Sequence, residues 1–319
     1  DTISLTDDTL SAAGTACIGA RSAELTLTRL TLSQCGVGDM PAVRLIGGAL
    51  AVDLLDISGT NPRAIVVDSA RRASLRRTTL RGPNAATVGI AGNGGIDLTA
   101  DSAIITNSFV TGYPDRAAIW LSGGVVRADS NSVNRSRTGI AVARAAVSLD
   151  IRDDDLYDAD TAALAVSLAT PVNAPGIWWG DGRGPRGTST ATVGDTVTGP
   201  VVTSPYRGSP LRNGITATRM RKLRGDNQSG LQLTTLALPF SVRVTDADGL
   251  PVASKTVTFA LPGSSRSSFT GGQKSVNVIT NASGIAEATL TLGRNPSDNT
   301  VTVTSPGVSD VLVFTVFAY

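Results

Sequence analysis

Apolar side chains recur through the first part of the chain in a short alternating pattern. A small or apolar residue is followed by two apolar positions that flank a variable one, and this four-residue anchor returns at steps of 21 to 31 residues. The anchors are Cys17–Ala20, Ala42–Leu45, Ala64–Val67, Thr87–Ile90, Ala118–Leu121, Gly139–Val142 and Ala163–Val166. The alternation predicts strands with one face inward, and the period predicts a solenoid whose coils bury apolar surface against their neighbours.

A second alternating run precedes the anchors and predicts another inward face in each coil. Its residues are Leu30, Leu32, Leu55, Ile57, Leu80, Phe109, Val133 and Leu156. The longest step predicts a coil with an insertion around Gly92–Gly95. Small aliphatic residues suit a narrow lumen with coils about 4.8 Å apart. The alternative is an antiparallel sandwich, which is disfavoured because two-residue Asn-Gly and Asp-Gly hairpin turns are scarce before residue 240.

Two adjacent tryptophans lie in a segment of turn-forming residues. The sequence has only three Trp, four Tyr and six Phe, yet Trp178 and Trp179 stand side by side before Gly180. Bulky rings among Gly and Pro predict a cover over apolar surface, here the end of the coil stack. We therefore assign these three residues a structural role.

The segments Asn173–Pro185 and Gly194–Tyr206 carry a family resemblance. They resemble the Trp-Trp-Gly…Gly-Pro element, and the strand after it, that close right-handed parallel β-helices in secreted bacterial surface proteins. The resemblance covers about residues 1–210. It implies a right-handed parallel β-helix of the pectate-lyase-like kind. It indicates the architecture only, and no catalytic activity.

The pattern changes after the predicted β-helix. Residues 211–224 are basic, contain no acidic residue and predict a linker. From residue 225 to residue 319, short alternating runs separated by turns such as Asp246–Gly249 and Asn281–Gly284 predict a β-sandwich. The predicted fold class is therefore all-β, a right-handed parallel β-helix followed by an Ig-like β-sandwich.

The second domain resembles the bacterial Ig-like domains of invasin- and intimin-type adhesins. The matching segments are Gly225–Gly230, Val242–Val252, Val257–Phe259, Asn281–Ala286 and Thr289–Gly293. Members of that family are mostly stalk or spacer modules, so the resemblance implies an extracellular mechanical role.

Net charge, the length of apolar runs and the cysteines indicate which partners and which compartment to expect. The net charge of +2 is too small to indicate nucleic-acid binding, and no apolar run is long enough for a membrane span. The chain opens on Asp1, so we expect that a leader has been removed and that the protein is secreted. Cys17 and Cys35 are spaced by slightly less than one coil, which predicts a disulfide in an oxidising compartment; the alternative is two buried thiols.

Histidine is absent from the sequence. This excludes Ser-His-Asp and Cys-His catalysis and His-ligated zinc, so carboxylate chemistry is what remains. Asp153 and Asp155 would lie on one side of a strand and share a calcium ion with Asp158. Pectate lyases and related β-helix enzymes use acidic calcium ligands. The alternative for this acidic run is a solvated turn.

Two further features predict contacts between molecules. Arg71, Arg72, Arg76 and Arg77 form a basic cluster that would bind anionic glycans or an acidic surface of a second subunit; the alternative is a strand with outward arginines. The alternating stretch with Ile3 and Leu5 predicts either a first strand of the β-helix or a strand that pairs with another molecule's open edge.

These observations favour a non-catalytic structural or adhesive protein of the bacterial surface that self-associates into a filament. No cofactor is expected apart from calcium. The alternative is a carbohydrate-active β-helix, either a polysaccharide lyase or a glycan-binding module. In a glycan-binding module, an outward Trp120 or Tyr113 would form the stacking platform for a glycan or a host-cell surface.

Overall fold

The computed structural model describes residues 1–11, 16–36, 40–59, 63–83, 94–186, 194–294 and 297–319. It is almost entirely β-structure, and the described residues contain no α-helix. The chain divides into two compact units, Asp1–Leu211 and Arg212–Tyr319. The first unit is a parallel β-solenoid of about 6 turns.

The first unit is made of parallel strands. They are β1 (Thr2–Ser11), β2 (Ile18–Arg21), β3 (Glu24–Ser33), β4 (Val43–Ile46), β5 (Ala49–Ser58), β6 (Ile65–Arg81), β7 (Gly94–Thr106), β8 (Phe109–Asp129), β9 (Ser132–Arg152), β10 (Asp155–Leu156), β11 (Ala159–Val166), β12 (Val172–Asn173), β13 (Val197–Thr198) and β14 (Val201–Val202). All but β12 and β14 form one sheet, whose main path runs β1-β3-β5-β6-β7-β8-β9-β11-β13.

Each coil presents three inward faces to the lumen. In the first face Ile18, Val43, Ile65, Ile96, Ile119, Ile140 and Leu164 stack in register. In the second face the stack is Leu25, Leu50, Ala73, Ala103, Val126 and Leu149. In the third face it is Leu32, Ile57, Leu80, Val110, Val133 and Leu156. This core of small aliphatic side chains is the one that the alternating pattern predicts.

A single residue in the left-handed region turns the chain between the second and third faces. The residues at this corner are Asp7, Arg29, Leu54, Arg77, Asn107, Ser130 and Asp153, with φ between 51° and 60°. Non-glycine residues seldom adopt this conformation, and its recurrence in successive coils shows that stacking enforces it. The sequence does not signal this corner, because none of its residues is glycine and they range from Asp and Asn to Arg and Leu.

The sequence pattern places one of the seven predicted anchors at the wrong residues. Thr87–Ile90 lies outside the described residues, as do the first two residues of the insertion predicted at Gly92–Gly95. Ile96 occupies the stacking position, because it pairs with Ile65 on one side and with Ile119 on the other. The long step therefore falls one coil earlier than predicted.

The described residues of the second unit form three separate sheets. Its strands are β15 (Arg219–Arg224), β16 (Gln228–Gly230), β17 (Phe240–Thr245), β18 (Thr256–Ala260), β19 (Ser268–Phe269), β20 (Ser275–Ile279), β21 (Ile285–Ala288), β22 (Leu290–Thr291), β23 (Ser297–Thr304) and β24 (Leu312–Ala318), with a 3-10 turn at Thr270–Gly272. The sheet orders are β15-β17-β21, β16-β24-β23-β18-β20 and β19-β22. Phe240 and Phe314 pack in the core with ring centroids 5.0 Å apart.

The predicted linker, residues 211–224, needs correction. Its last six residues form β15, which pairs antiparallel with β17 and places Met220 opposite Val244 in the core. The basic residues obscured this strand because Met220 and Leu223 are the only apolar side chains in it. The second unit therefore begins at Arg212, before the predicted sandwich boundary.

Candidate functional site

Among the residues that the structure describes, the first strand is an edge strand of the solenoid sheet. β1 pairs with β3 on one side, and no described strand pairs with its other side. Ile3 and Leu5 stack in register over Leu25 and Leu27 of the next coil. Ile3 is 38% exposed and Leu5 is partly buried, so the lumen end presents apolar side chains beside unpaired backbone. An edge of this kind is a template for pairing with another strand.

A disulfide lies directly beneath this edge. Cys17 and Cys35 are bonded, with a Cα–Cα distance of 5.4 Å. Cys17 precedes β2 and Cys35 follows β3, so the bond joins the beginning and the end of one coil. The Cys35 Sγ also lies 3.7 Å from the carbonyl oxygen of Leu10 in the edge strand. The predicted disulfide is therefore present, and the alternative of two free thiols does not hold.

The basic cluster lies on β6, and carboxylates of earlier coils neutralise part of it. Its members are Arg71, Arg72, Arg76 and Arg77. Arg71 forms an ion pair with Glu24, and Arg77 forms one with Asp53. The hydrogen bond from Arg77 lowers the pKa of Asp53, and the charge of Arg76 adds to the effect. Since these groups are exposed, the pairs contribute little stability, but they reduce the charge that the cluster offers to a partner.

The predicted calcium ligands do not assemble. Asp153 lies exposed at the left-handed corner, whereas Asp155 is fully buried. The Asp155 carboxylate forms an ion pair with Arg207 and accepts a 2.7 Å hydrogen bond from the backbone N–H of Leu211. Within the described ranges, no group of three or more His, Cys, Asp or Glu side chains is arranged to hold a metal ion.

Asp158 lies apart from the other two carboxylates, in a shallow cleft. The cleft has a volume of about 200 Å³ and is lined by Pro114, Arg135, Asp158 and Asp160. A carboxylate pair beside an arginine could accept hydrogen bonds from a polar ligand. The predicted three-ligand calcium site is thus corrected to a buried ion pair at Asp155 and a separate surface cleft at Asp158.

A buried ladder of polar groups runs through four coils, at the position directly after the left-handed corner between the second and third faces. The backbone N–H of Thr78 donates to Ser108 Oγ (3.1 Å), and that of Ser108 donates to Asn131 Oδ1 (3.0 Å). Asn131 donates from its backbone N–H (2.7 Å) and from Nδ2 (2.9 Å) to Asp154 Oδ1. Burial raises the pKa of Asp154 well above its usual value, and the bonds from Asn131 only partly oppose the rise.

The two tryptophans lie within the coil stack and not at its end, because the next stretch of chain pairs with theirs: the backbone N–H of Asp195 donates to the carbonyl of Trp179, and that of Arg207 donates to the carbonyl of Ile177. Trp179 belongs to the solenoid core, and Trp178 is equally buried beside Tyr157, with ring centroids 4.8 Å apart. Gly180 follows with a φ of 83°, a conformation that glycine adopts without strain. Both rings are thus buried inside the first unit.

The two candidate stacking aromatics differ in position. Tyr113 is only 1% exposed and points into the core, and burial raises its pKa, so it cannot serve as an outward platform. Trp120 lies on the outer side of β8 and is half-buried. Beside its strand is a cleft of about 310 Å³ that includes Asp101 and Arg144. No local sequence pattern signals this cleft, because its residues come from four coils.

Comparisons with known proteins give only distant likenesses. No family model and no curated protein matches the sequence. Among solved structures, the D00–D0 domain of intimin is 15% identical, with 39% of this chain and 54% of that chain covered and a TM-score of 0.26. A β-glucuronidase from Parabacteroides merdae is 18% identical, with 34% and 13% covered and a TM-score of 0.24.

A β-glycosidase from Bacteroides vulgatus is 14% identical, with 38% of this chain and 16% of that chain covered and a TM-score of 0.26. The chain thus spans about half of the intimin structure and a small part of either glycosidase. Likenesses of this size carry no inference about activity. In the part of the chain that the structure describes, no helix is long and apolar enough to cross a membrane.

Proposed function

We propose that this chain is a non-catalytic structural or adhesive protein of the bacterial surface, and that its copies associate into a filament through the open coil edge. The observation that carries the proposal is the geometry of β1. This strand is hydrogen-bonded on one side only, and its inward residues Ile3 and Leu5 retain exposed apolar surface. A second copy that added a strand there would bury both the backbone edge and the lumen end.

The second copy need not offer the same surface. If β1 of one molecule pairs with a different edge of the next, the contact is heterologous and does not close, which produces filaments. The second unit contains a candidate: β20 is hydrogen-bonded to β18 on one side, carries no charge and exposes Ile279 (57%). Edge strands without charge or proline are prone to pair with other chains.

Two further features support an extracellular location. The disulfide between Cys17 and Cys35 is of a kind that persists in oxidising compartments. The second unit has the resemblance to Ig-like stalk modules described above, and we propose that it acts as a spacer. Both features are compatible with a protein exported to the cell surface.

The proposal is tested by the assembly state of the full chain. Wild-type protein should form filaments with a regular axial repeat in negative-stain electron microscopy and sediment as a concentration-dependent polymer. The double variant Ile3→Lys, Leu5→Lys should remain monomeric, because it places charge on the lumen end. The matched control is the double variant Ser4→Lys, Thr6→Lys, which puts the same charge on two exposed positions of the same strand and should still assemble.

Two kinds of result would contradict the proposal. The first concerns assembly: the wild type is a monomer at every concentration, or the double variant assembles as the wild type does. The other is the release of new sugar ends from polysaccharides, which would favour the carbohydrate-active alternative and direct attention to Asp158 and Asp160 in their cleft.

A further inference from the structure

The cleft beside Trp120 lies at the corner between the first and second faces of the solenoid. It is formed by successive coils, with a volume of about 310 Å³, within the range of small-ligand sites. Its polar lining consists of Ser69, Thr99, Asp101, Ser122 and Arg144. No lining residue is a large apolar side chain, so the cleft is suited to a hydroxyl-rich ligand.

Close backbone contact keeps the floor of the cleft free of side chains. A Cβ atom at Gly123 would lie 2.2 Å from the carbonyl oxygen of Ala100, and one at Gly124 would lie 3.1 Å from that of Asp101. Glycine is therefore required at Gly123 for the two coils to approach. The cleft exists because this corner carries Gly and Ala where other parts of the surface carry longer side chains.

The polar groups of the cleft are not committed to one another. Within the described residues, Asp101, Arg144, Thr99 and Ser122 make no side-chain hydrogen bond or ion pair. Some other charged residues of the solenoid are paired, as Arg29 is with Asp7, Arg71 with Glu24, Arg77 with Asp53 and Arg152 with Asp150. The cleft thus offers a carboxylate acceptor, a guanidinium donor and two hydroxyls to a ligand.

Trp120 adds an apolar surface next to these groups. It pairs with Asp97 across the strands, and Ser122 pairs with Thr99 in the next outward row. Two residues along a strand span about 6–7 Å, so the indole and the cleft are adjacent on one outer face. Half-burial fixes the ring while part of it faces solvent.

We infer that this surface binds a neutral oligosaccharide of at least two sugars. One sugar would stack its C–H face on Trp120, and the next would place its hydroxyls against Asp101, Arg144, Thr99 and Ser122. The opposite charges of Asp101 and Arg144 cancel, so the cleft selects neither an acidic nor a basic sugar. The site is separate from the coil edge, and its function does not depend on assembly through β1.

The test uses an array of neutral and uronic-acid oligosaccharides, followed by calorimetric titration of the best neutral binder. The full chain should bind a neutral probe, and Trp120→Ala and Arg144→Gln should each weaken binding at least tenfold. Arg127→Gln is the matched control, because Arg127 is an exposed arginine outside the cleft, and it should bind as wild type does. Circular dichroism and thermal unfolding would establish that each variant is folded.

Binding should be unchanged in the assembly variant Ile3→Lys, Leu5→Lys, which separates this inference from the proposed self-association. Three results would overturn it: no binding to any neutral probe, binding to uronic acids only, or neutral binding that survives both Trp120→Ala and Arg144→Gln.

Discussion

The bond between Cys17 and Cys35 closes one coil of the solenoid into a covalent ring, immediately beneath the open edge strand. In a solenoid each coil is stabilised by its own interactions and by its contacts with the neighbouring coils. A ring at this position cannot unwind while the bond is intact. The disulfide therefore holds the surface on which strand β1 is stacked.

Removing this ring should destabilise the first coils. For Cys17→Ser with Cys35→Ser, we expect a loss of about 3 kcal/mol from the free energy of unfolding of the first unit, the chain-entropy estimate for a loop of this size. Limited proteolysis should then cut first within residues 1–36. The second unit contains no Cys and is an internal control, because its own thermal transition should not change.

Breaking the ion pair between Asp155 and Arg207 should be costly, because the carboxylate is fully buried. Asp155→Asn should lower the free energy of unfolding of the first unit by about 3 kcal/mol in urea titrations. The exposed pair of Asp53 and Arg77 is the matched control, and Asp53→Asn should cost less than about 1 kcal/mol. Equal losses in the two variants would contradict the assigned burial.

Asp154 should make stability depend on pH. Its pKa is raised by burial in the folded state, so the folded chain retains a proton that the unfolded chain loses above pH about 4. Stability contributed by the neutral acid therefore falls as pH rises from about 4 through the folded pKa. Asp154→Asn should remove this loss. The difference in melting temperature between variant and wild type should therefore shift in favour of the variant as pH rises from about 4 to about 8.

Asp154→Ala provides the contrast. It leaves the two donors of Asn131 without their acceptor, so we expect it to be about 1–3 kcal/mol less stable than Asp154→Asn at both pH values. If Asp154→Asn and Asp154→Ala behave alike, the hydrogen bonds of the ladder are not what stabilises this corner.

Trp179 should be the aromatic residue on which the solenoid depends most. Trp179→Ala should cost about 3–5 kcal/mol, since the indole is wholly buried in the core. Trp120→Ala removes the same side chain from a half-buried outer position and should cost much less. Urea unfolding followed by far-ultraviolet circular dichroism measures both without relying on tryptophan fluorescence.

Calcium should not stabilise the protein through Asp153, Asp155 and Asp158. The Asp155 carboxylate is already engaged by Arg207 and by the Leu211 amide, and Asp158 lies in a different cleft. Addition of calcium or of a chelator should leave the melting temperature unchanged. A rise that Asp155→Asn abolishes would restore the calcium interpretation.

Several features of the fold were predictable from local pattern. Alternation places Val43 and Leu45, or Ile119 and Leu121, on the inward side of a strand whatever the rest of the chain does, because side chains of a strand alternate between faces. The burial of the paired tryptophans was predictable for a similarly local reason, because bulky rings in a turn-rich segment cover apolar surface. The strand at Arg219–Arg224 was missed because its basic side chains hide a weak alternation.

The sequence by itself determined the all-β character, the repeat and the aliphatic lumen, since these follow from residue type and spacing along the strand. The tertiary structure alone decided which side chains meet across coils. The pairing of Asp155 with Arg207 and the grouping of Asp101 with Arg144 depend on how many residues each corner takes up. The displaced step before Ile96 illustrates the reason: a coil can lengthen at a corner without any change in its inward pattern, so spacing does not fix register.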